Sequence, residues 1–481
     1  MDIISFRSFL FALVAIGLLR ALPSVRLRPV LVLLLNAVFF ASFLHQPSDA
    51  LPVLSMMALG YSCLLVAGKK RVTAPLGIMI TLIVLLFIWL KRYTVIAPLL
   101  PANATPLMVV GLSYILFRII HLLVDVAQGV KATPPLLSYV NYCLFFPTFL
   151  SGPIARYEQF DEQMTKPLAP LTLPQLHAAL GRIALGLMLI VFCSAHASTM
   201  VDWIKDTHSL AAPDHAAWLK TAELFSLTSL AAFVKLYTNF SGSMHLILGF
   251  AVLAGFTLPE NFNKPYLAKN FLDFWSRWHI TLSEWIKFYL FNPLLAALTR
   301  RFPSRRAATF IGAVAFFVAF FVIGVWHGTT ALFAVFGIML GLAATTNKLW
   351  QQAMTRLLGK AGYKKLTQQP WYFQLARGMT LGYIALALMC LWMPPGYIAA
   401  NGIDWLLAIL ALSLVLLTLS LALLGFVADS IIALLTRYGA HWPKPRTEWG
   451  MALTMALIAW LVFNHLGTYG SSTPELVYKG F

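Results

Sequence analysis

Apolar residues run nearly end to end along the chain, in stretches parted by short polar connections: 6–23, 28–44, 51–68, 74–90, 106–127, 178–200, 221–237, 243–257, 307–326, 329–347, 374–394, 403–428 and 450–467. A hydrocarbon layer about 30 Å thick is crossed by about 20 apolar helical residues, each rising about 1.5 Å. Trp405 to Val427 and Ala307 to Trp326 reach that length without Asp, Glu, Lys or Arg. The pattern predicts an all-α polytopic membrane protein of about 11–14 transmembrane or re-entrant helices, forming one integral domain over residues 1–481.

Two regions break the pattern. The run from Tyr139 to Leu150 is too short to span and ends in Ser151-Gly152-Pro153. Irregular backbone in a membrane must be shielded by protein, so a buried re-entrant or kinked segment is expected over 135–162. The stretch from Pro259 to Pro303 is more polar and aromatic than its neighbours. Within it Trp275, Trp278, Leu282, Trp285 and Tyr289 recur at helical spacing, as do His279, Ser283 and Lys287. An amphipathic helix is expected there, lying in the interface plane or walling a polar cavity. No repeat, low-complexity tract or second domain is evident.

Composition agrees. The chain is 60% hydrophobic and 11% charged, where soluble domains carry about 25% charged residues. Lys and Arg number 35 against 17 Asp and Glu, giving +18. In a soluble protein that excess would suggest a nucleic-acid partner. Here the basic residues sit in short connections, where they orient helices by the positive-inside rule, and no nucleic acid is implied. Asp2 offsets Arg7, and Arg20, Arg26 and Arg28 follow the first run. This predicts an uncleaved first helix with its N-terminus outside. The loops at 20–28 and at Lys69, Lys70 and Arg71 then face the cytoplasm, and His45 to Asp49 the outside. Cys63, Cys143, Cys193 and Cys390 lie singly in apolar surroundings, without the spacing of a metal site or disulfide framework.

Ionisable groups at membrane depth are expensive and tend to mark function. His327, in Gly324-Val325-Trp326-His327-Gly328, follows about 20 apolar residues and has glycines that allow close backbone approach. Its imidazole could take a hydroxyl proton or could merely cap a helix end; composition alone favours the cap. His279 sits among Trp275 and Trp278, a setting that by itself reads as an interfacial belt. Arg118, His121 and Asp125 share one helix face and read as an ion-paired ladder. Arg156 is either an interfacial arginine or a bidentate anion holder. Among these residues spacing assigns no reaction, and no nucleotide loop or nucleophile elbow is present.

At these residues the sequence resembles the membrane-bound O-acyltransferase family, in the bacterial branch of alginate O-acetyltransferase and teichoic-acid D-alanyltransferase membrane subunits. The resemblance rests on Val110-Gly111-Leu112-Ser113-Tyr114, Phe146-Pro147-Thr148, Ser151-Gly152-Pro153-Ile154-Ala155-Arg156-Tyr157 and Pro259-Glu260-Asn261-Phe262-Asn263-Lys264-Pro265-Tyr266. It continues through Asp273-Phe274-Trp275-Ser276-Arg277-Trp278-His279-Ile280-Thr281-Leu282-Ser283 to Gly324-Val325-Trp326-His327-Gly328. The motifs stand in the family's order over 110–328.

The resemblance implies a ring of helices around a thinned centre, where a cytoplasmic funnel and an outer cavity meet. It implies His327 as catalytic histidine and His279 as the second signature histidine, with Trp326, Arg156, Trp275, Trp278, Ser283, Lys287 and Asn239 as substrate-contacting candidates. It departs where relatives read Phe-Asp-Phe-Ser-Gly-Tyr-Ser-Asp. Here Thr238-Asn239-Phe240-Ser241-Gly242-Ser243-Met244-His245 lacks both acids, and Lys287-Phe288-Tyr289 replaces Arg-Asp-Tyr.

The implied activity moves an acyl group, acetyl ahead of carrier-bound D-alanyl, from a cytoplasmic thioester (acetyl-CoA or an acyl carrier protein) toward hydroxyls of a cell-surface polysaccharide. No tightly bound cofactor or metal is expected. Membrane lipid, a separate extracytoplasmic acyltransferase and an acyl carrier protein are the expected partners, and the bacterial inner membrane the expected location. Arg300, Arg301, Arg305 and Arg306 could meet the donor's negative charge or simply obey the positive-inside rule. A transporter of a lipid-linked or anionic solute is the alternative from another class, but the paired broken helices of inverted repeats are not evident.

Overall fold

The computed structural model describes residues 6–22, 24–70, 74–94, 96, 111–208, 217–304, 307–393, 397 and 401–437. The expected run at 450–467, Val110, Arg71, Arg305 and Arg306 lie outside the described residues. The described residues are predominantly helical: α1 (Phe6–Ala21), α2 (Arg28–Ala41), α3 (Leu51–Lys70), α4 (Ala74–Lys91), α5 (Leu112–Ala127), α6 (Leu136–Cys143), α7 (Tyr157–Thr165), α8 (Leu173–Leu187) and α9 (Ala195–His208). Then follow α10 (Trp218–Ala254), α11 (Phe271–Trp275), α12 (Ile280–Ile286), α13 (Asn292–Arg301), α14 (Ala307–His327), α15 (Ala331–Thr367), α16 (Pro370–Ala387) and α17 (Ile403–Arg437). Among the described residues, 7 helical stretches are long and apolar enough to cross a membrane, and α2 and the Pro75–Lys91 part of α4 are apolar but shorter. This is an all-α, multi-pass integral membrane protein.

The two apolar runs at 221–237 and 243–257 do not form separate helices. They fuse into α10, which is 37 residues long and mostly buried. The interval 238–242 that separated the two runs holds a packing seam at Gly242. A Cβ on Gly242 would stand 2.6 Å from the Ile190 side chain, and one on Gly186 would stand 2.7 Å from the Gly242 carbonyl. Small residues let helices approach closely where no hydrophobic effect drives them together, so the interval continues the helix. At its far end α10 stops at Gly255, whose φ of 90° is left-handed. Arg20 donates to the last carbonyls, Nε to Leu253 at 2.8 Å and Nη2 to Val252 at 3.1 Å. An arginine of the expected cytoplasmic loop thus also caps a core helix.

The segment expected to be buried and re-entrant or kinked is indeed broken and largely buried, as α6, a single 3₁₀ turn (Phe146–Thr148), an irregular stretch and α7. Arg118 holds it. Fully buried on α5, its guanidinium donates to the carbonyls of Tyr142 (2.9 Å), Cys143 (2.7 Å) and Thr148 (2.7 Å) and to the Thr148 hydroxyl (2.5 Å). Backbone outside a regular helix loses its internal partners, and in a membrane a side chain must replace them. The expected ladder is therefore only half present: His121 Nε2 lies 3.3 Å from Asp125 Oδ2, while Arg118 turns to the re-entrant backbone.

The amphipathic segment also departs from expectation. It is not one helix but α11, a break at Ser276–His279, α12, a π-helical turn at Lys287–Phe291 and α13. His279 itself sits in the break, at φ 43° and ψ 54°. An isolated bridge pairs Phe262 with Trp278, and this pairing of the two arms replaces helical continuity. The predicted stripe still faces inward, with Trp275, Trp278 and Leu282 buried.

Candidate active site

His327 is the last residue of α14 and is buried. Its place is fixed by how closely α14 and α15 pack. A Cβ on Gly324 would lie 2.2 Å from the Gly337 Cα, and one on Gly337 would lie 2.6 Å from the Phe321 carbonyl. The turn after the histidine is tied down by the end of α4. Tyr93 donates to the Val325 carbonyl at 3.2 Å and Thr94 to the Thr329 carbonyl at 2.9 Å, which satisfies acceptors that a helix terminus leaves open. Lys91, the last residue of α4, donates to Ser113 Oγ at 3.2 Å.

His279 is fully buried and held by Asn261. The Asn261 Oδ1 accepts from the Thr281 backbone N–H (3.1 Å) and hydroxyl (2.9 Å), and lies 3.3 Å from His279 Nδ1. An amide oxygen only accepts, so Nδ1 carries the proton and Nε2 keeps its lone pair. The Asn261 carbonyl accepts from Ile280 N–H at 3.0 Å. One asparagine thereby orients a histidine and caps the start of α12. Its residue type and burial mark it only after folding, although it stood inside the Pro259–Tyr266 motif.

Trp326 joins the two histidines. Its ring centroid lies 4.8 Å from His327 and 6.5 Å from His279, with Phe117 at 4.9 Å behind it. Beside them a small cleft of about 30 Å³ is lined by His327, Trp275, Trp278, Phe336, Cys390 and further aromatic and aliphatic side chains. Among the described residues lining it there is no Asp, Glu, Lys or Arg.

Five of the expected site residues thus converge: His327, His279, Trp326, Trp275 and Trp278. Ser283 lies below them, its hydroxyl 3.4 Å from the Trp278 carbonyl. Asn239 is buried on α10, one residue before Phe240, whose ring meets His279 edge-on at 4.9 Å. Arg156 and Lys287 are exposed and flank the Phe288 ring at 4.7 and 5.8 Å. That pair forms a separate basic patch and does not line the cleft.

The sequence model of the membrane-bound O-acyltransferase family matches residues 29–393. The chain belongs to this family. The matched span contains both histidines, the re-entrant segment and the broken Trp-rich segment. Its chemistry is acyl transfer to hydroxyl groups. Among its relatives, the teichoic acid D-alanyltransferase of Streptococcus thermophilus is 28% identical over 320 residues, covering 63% of this chain and 74% of that protein. The probable alginate O-acetylase AlgI of Pseudomonas aeruginosa is 27% identical over 237 residues, covering 49% and 42% respectively. The peptidoglycan O-acetyltransferase of Helicobacter pylori is 29% identical over 218 residues, covering 45% and 38%. The match therefore spans less than half the length of either of these O-acetyl-transferring relatives.

Proposed function

We propose that this membrane-bound O-acyltransferase moves an uncharged acyl group, acetyl in the simplest case, from a cytoplasmic thioester toward a hydroxyl of a cell-envelope polysaccharide. The observation that carries this reading is the cleft at His327, uncharged and apolar apart from the histidine, the indole edges and the Cys390 thiol. The uncharged methyl end of an acetyl thioester suits that lining. A D-alanyl group brings an ammonium, and an ion buried without a counter-charge costs several kcal/mol. His327 acts as general base: its imidazole takes the acceptor hydroxyl proton as the oxygen attacks the thioester carbonyl, and returns it to the departing thiolate. His279, oriented by Asn261, lies across the Trp326 ring and holds the acceptor hydroxyl in line.

The donor is acetyl-CoA or an acylated carrier protein, used as a co-substrate. Arg300 and Arg301 are exposed at the end of α13, and with Arg156 and Lys287 they offer positive charge to its phosphates or acidic surface. The protein works in the bacterial inner membrane and passes the acyl group to a separate extracytoplasmic transferase. D-Alanyl transfer is the second reading. It is favoured by the longer match to a D-alanyltransferase and opposed by the uncharged cleft.

The test replaces His327 with Ala in the full chain, verifies membrane insertion, and quantifies ester-linked acetate and D-alanine released by mild alkali from envelope polymers. Acetate should fall to the level of a strain lacking the protein, a loss of at least about 100-fold. Unchanged ester would overturn the assignment, and loss of D-alanine in place of acetate would select the second reading.

A further inference from the structure

A tryptophan in the cleft has a hydrogen-bond donor with no protein partner. Trp275 ends α11 and is buried. Its ring packs edge-on against Phe320 of α14 at 5.4 Å and against Phe274 at 5.9 Å. It lines the same cleft as His327, yet its indole Nε1 meets no acceptor. An indole nitrogen only donates, and buried donors are nearly always paired. Leaving one unpaired beside a reactive group is worthwhile if the acceptor arrives with the substrate. Trp278, the neighbouring tryptophan of the cleft, is engaged by stacking on Phe274 at 5.4 Å and Phe233 at 5.9 Å. Trp326 also has an unpaired Nε1, but its ring lies between the histidines and Phe117, outside the residues that line the cleft.

We infer that the Trp275 Nε1–H donates to the carbonyl oxygen of the acyl donor bound against His327, and that this bond strengthens as negative charge develops on that oxygen. The inference rests on the acyl-transfer reading above. In the step it serves, the acceptor oxygen bonds to the carbonyl carbon and the hydroxyl proton passes to His327. The carbonyl π electrons move onto the oxygen facing Trp275. On collapse the carbon–sulfur bond breaks and the thiolate leaves with the proton held by His327. Donors placed where charge develops act most strongly in a water-poor site. The packing of Trp275 against Phe320, itself on the helix that carries His327, keeps donor and base in one frame.

The experiment uses the purified full chain and acetyl-CoA labelled with ¹³C at the carbonyl. In a His327→Ala background, which holds the donor without turning it over, infrared difference spectra report the bound carbonyl stretch. Adding Trp275→Phe, which keeps the ring against Phe320 and removes only the N–H, should raise that stretch toward its value in apolar solvent. With His327 intact, Trp275→Phe should lower kcat by about 100-fold while KM for acetyl-CoA changes less than about threefold. An unchanged carbonyl stretch overturns the role of Trp275 and leaves acyl transfer standing. A loss expressed in KM alone does the same, since it marks a packing role. Absence of any bound acetyl-CoA band overturns the donor reading together with the inference.

Discussion

Replacing Gly324 by Ala adds one methyl group at the closest approach to backbone atoms in the site. The new Cβ would lie 2.2 Å from the Gly337 Cα and 2.3 Å from its nitrogen, both backbone atoms that cannot swing aside. Carbon atoms rest about 3.5–4.0 Å apart, so α14 and α15 must part or slide by about 1.3 Å or more. Overpacking of this kind costs about 1–3 kcal/mol, within the stability of an ordinary domain at about 5–15 kcal/mol, so the chain still folds. His327 stands less than one turn away on the same helix and moves with it. A misplacement of about 1 Å at a reacting centre costs about 100-fold in rate, and that is the expected loss. The assay compares ester-linked acetate per membrane-inserted protein for Gly324→Ala and Gly312→Ala. Gly312 is on the same helix, and a Cβ there meets nothing within 4 Å, so its variant should match the parent chain. Near-normal acylation by Gly324→Ala would refute the claim that this helix contact sets the histidine.

Two further substitutions probe the supports of the site. Asn261→Ala strips the acceptor from the Thr281 N–H, its hydroxyl and His279 Nδ1; unsatisfied buried donors cost about 1–3 kcal/mol each, so thermal unfolding in detergent should shift down by several degrees, and an unshifted transition would show that Asn261 holds nothing. Arg118→Met leaves three buried carbonyls of the re-entrant segment without a donor, so the folded yield in membranes should collapse, whereas a normal yield would mean that the segment is held by packing alone.

The residues themselves disclosed the solvent of this protein and its expensive positions. Long apolar runs are a local property, and each spanning helix satisfies its own backbone. The spans at 307–327 and 403–434 could thus be read from composition. His327 stood out for the same reason, an ionisable group at the end of such a run. The short run at 139–150 already had the wrong length, which marked it as a broken segment and not a spanning helix. What holds that segment was not legible: Arg118 and Asp125 share a helix face, and only the fold set Arg118 under three orphaned carbonyls. The split at 238–242 misled because small polar residues weaken the hydrophobic signal whether they end a helix or pack one, and the neighbour that decides is Gly186, far away in sequence. His279 lay on a perfect helical stripe, yet the chain breaks there because Asn261 and Phe262 pair with the arm that follows. Convergence is likewise tertiary. Residues 261, 275, 279 and 327 share no periodicity, and their meeting depends on contacts between segments that no local preference encodes.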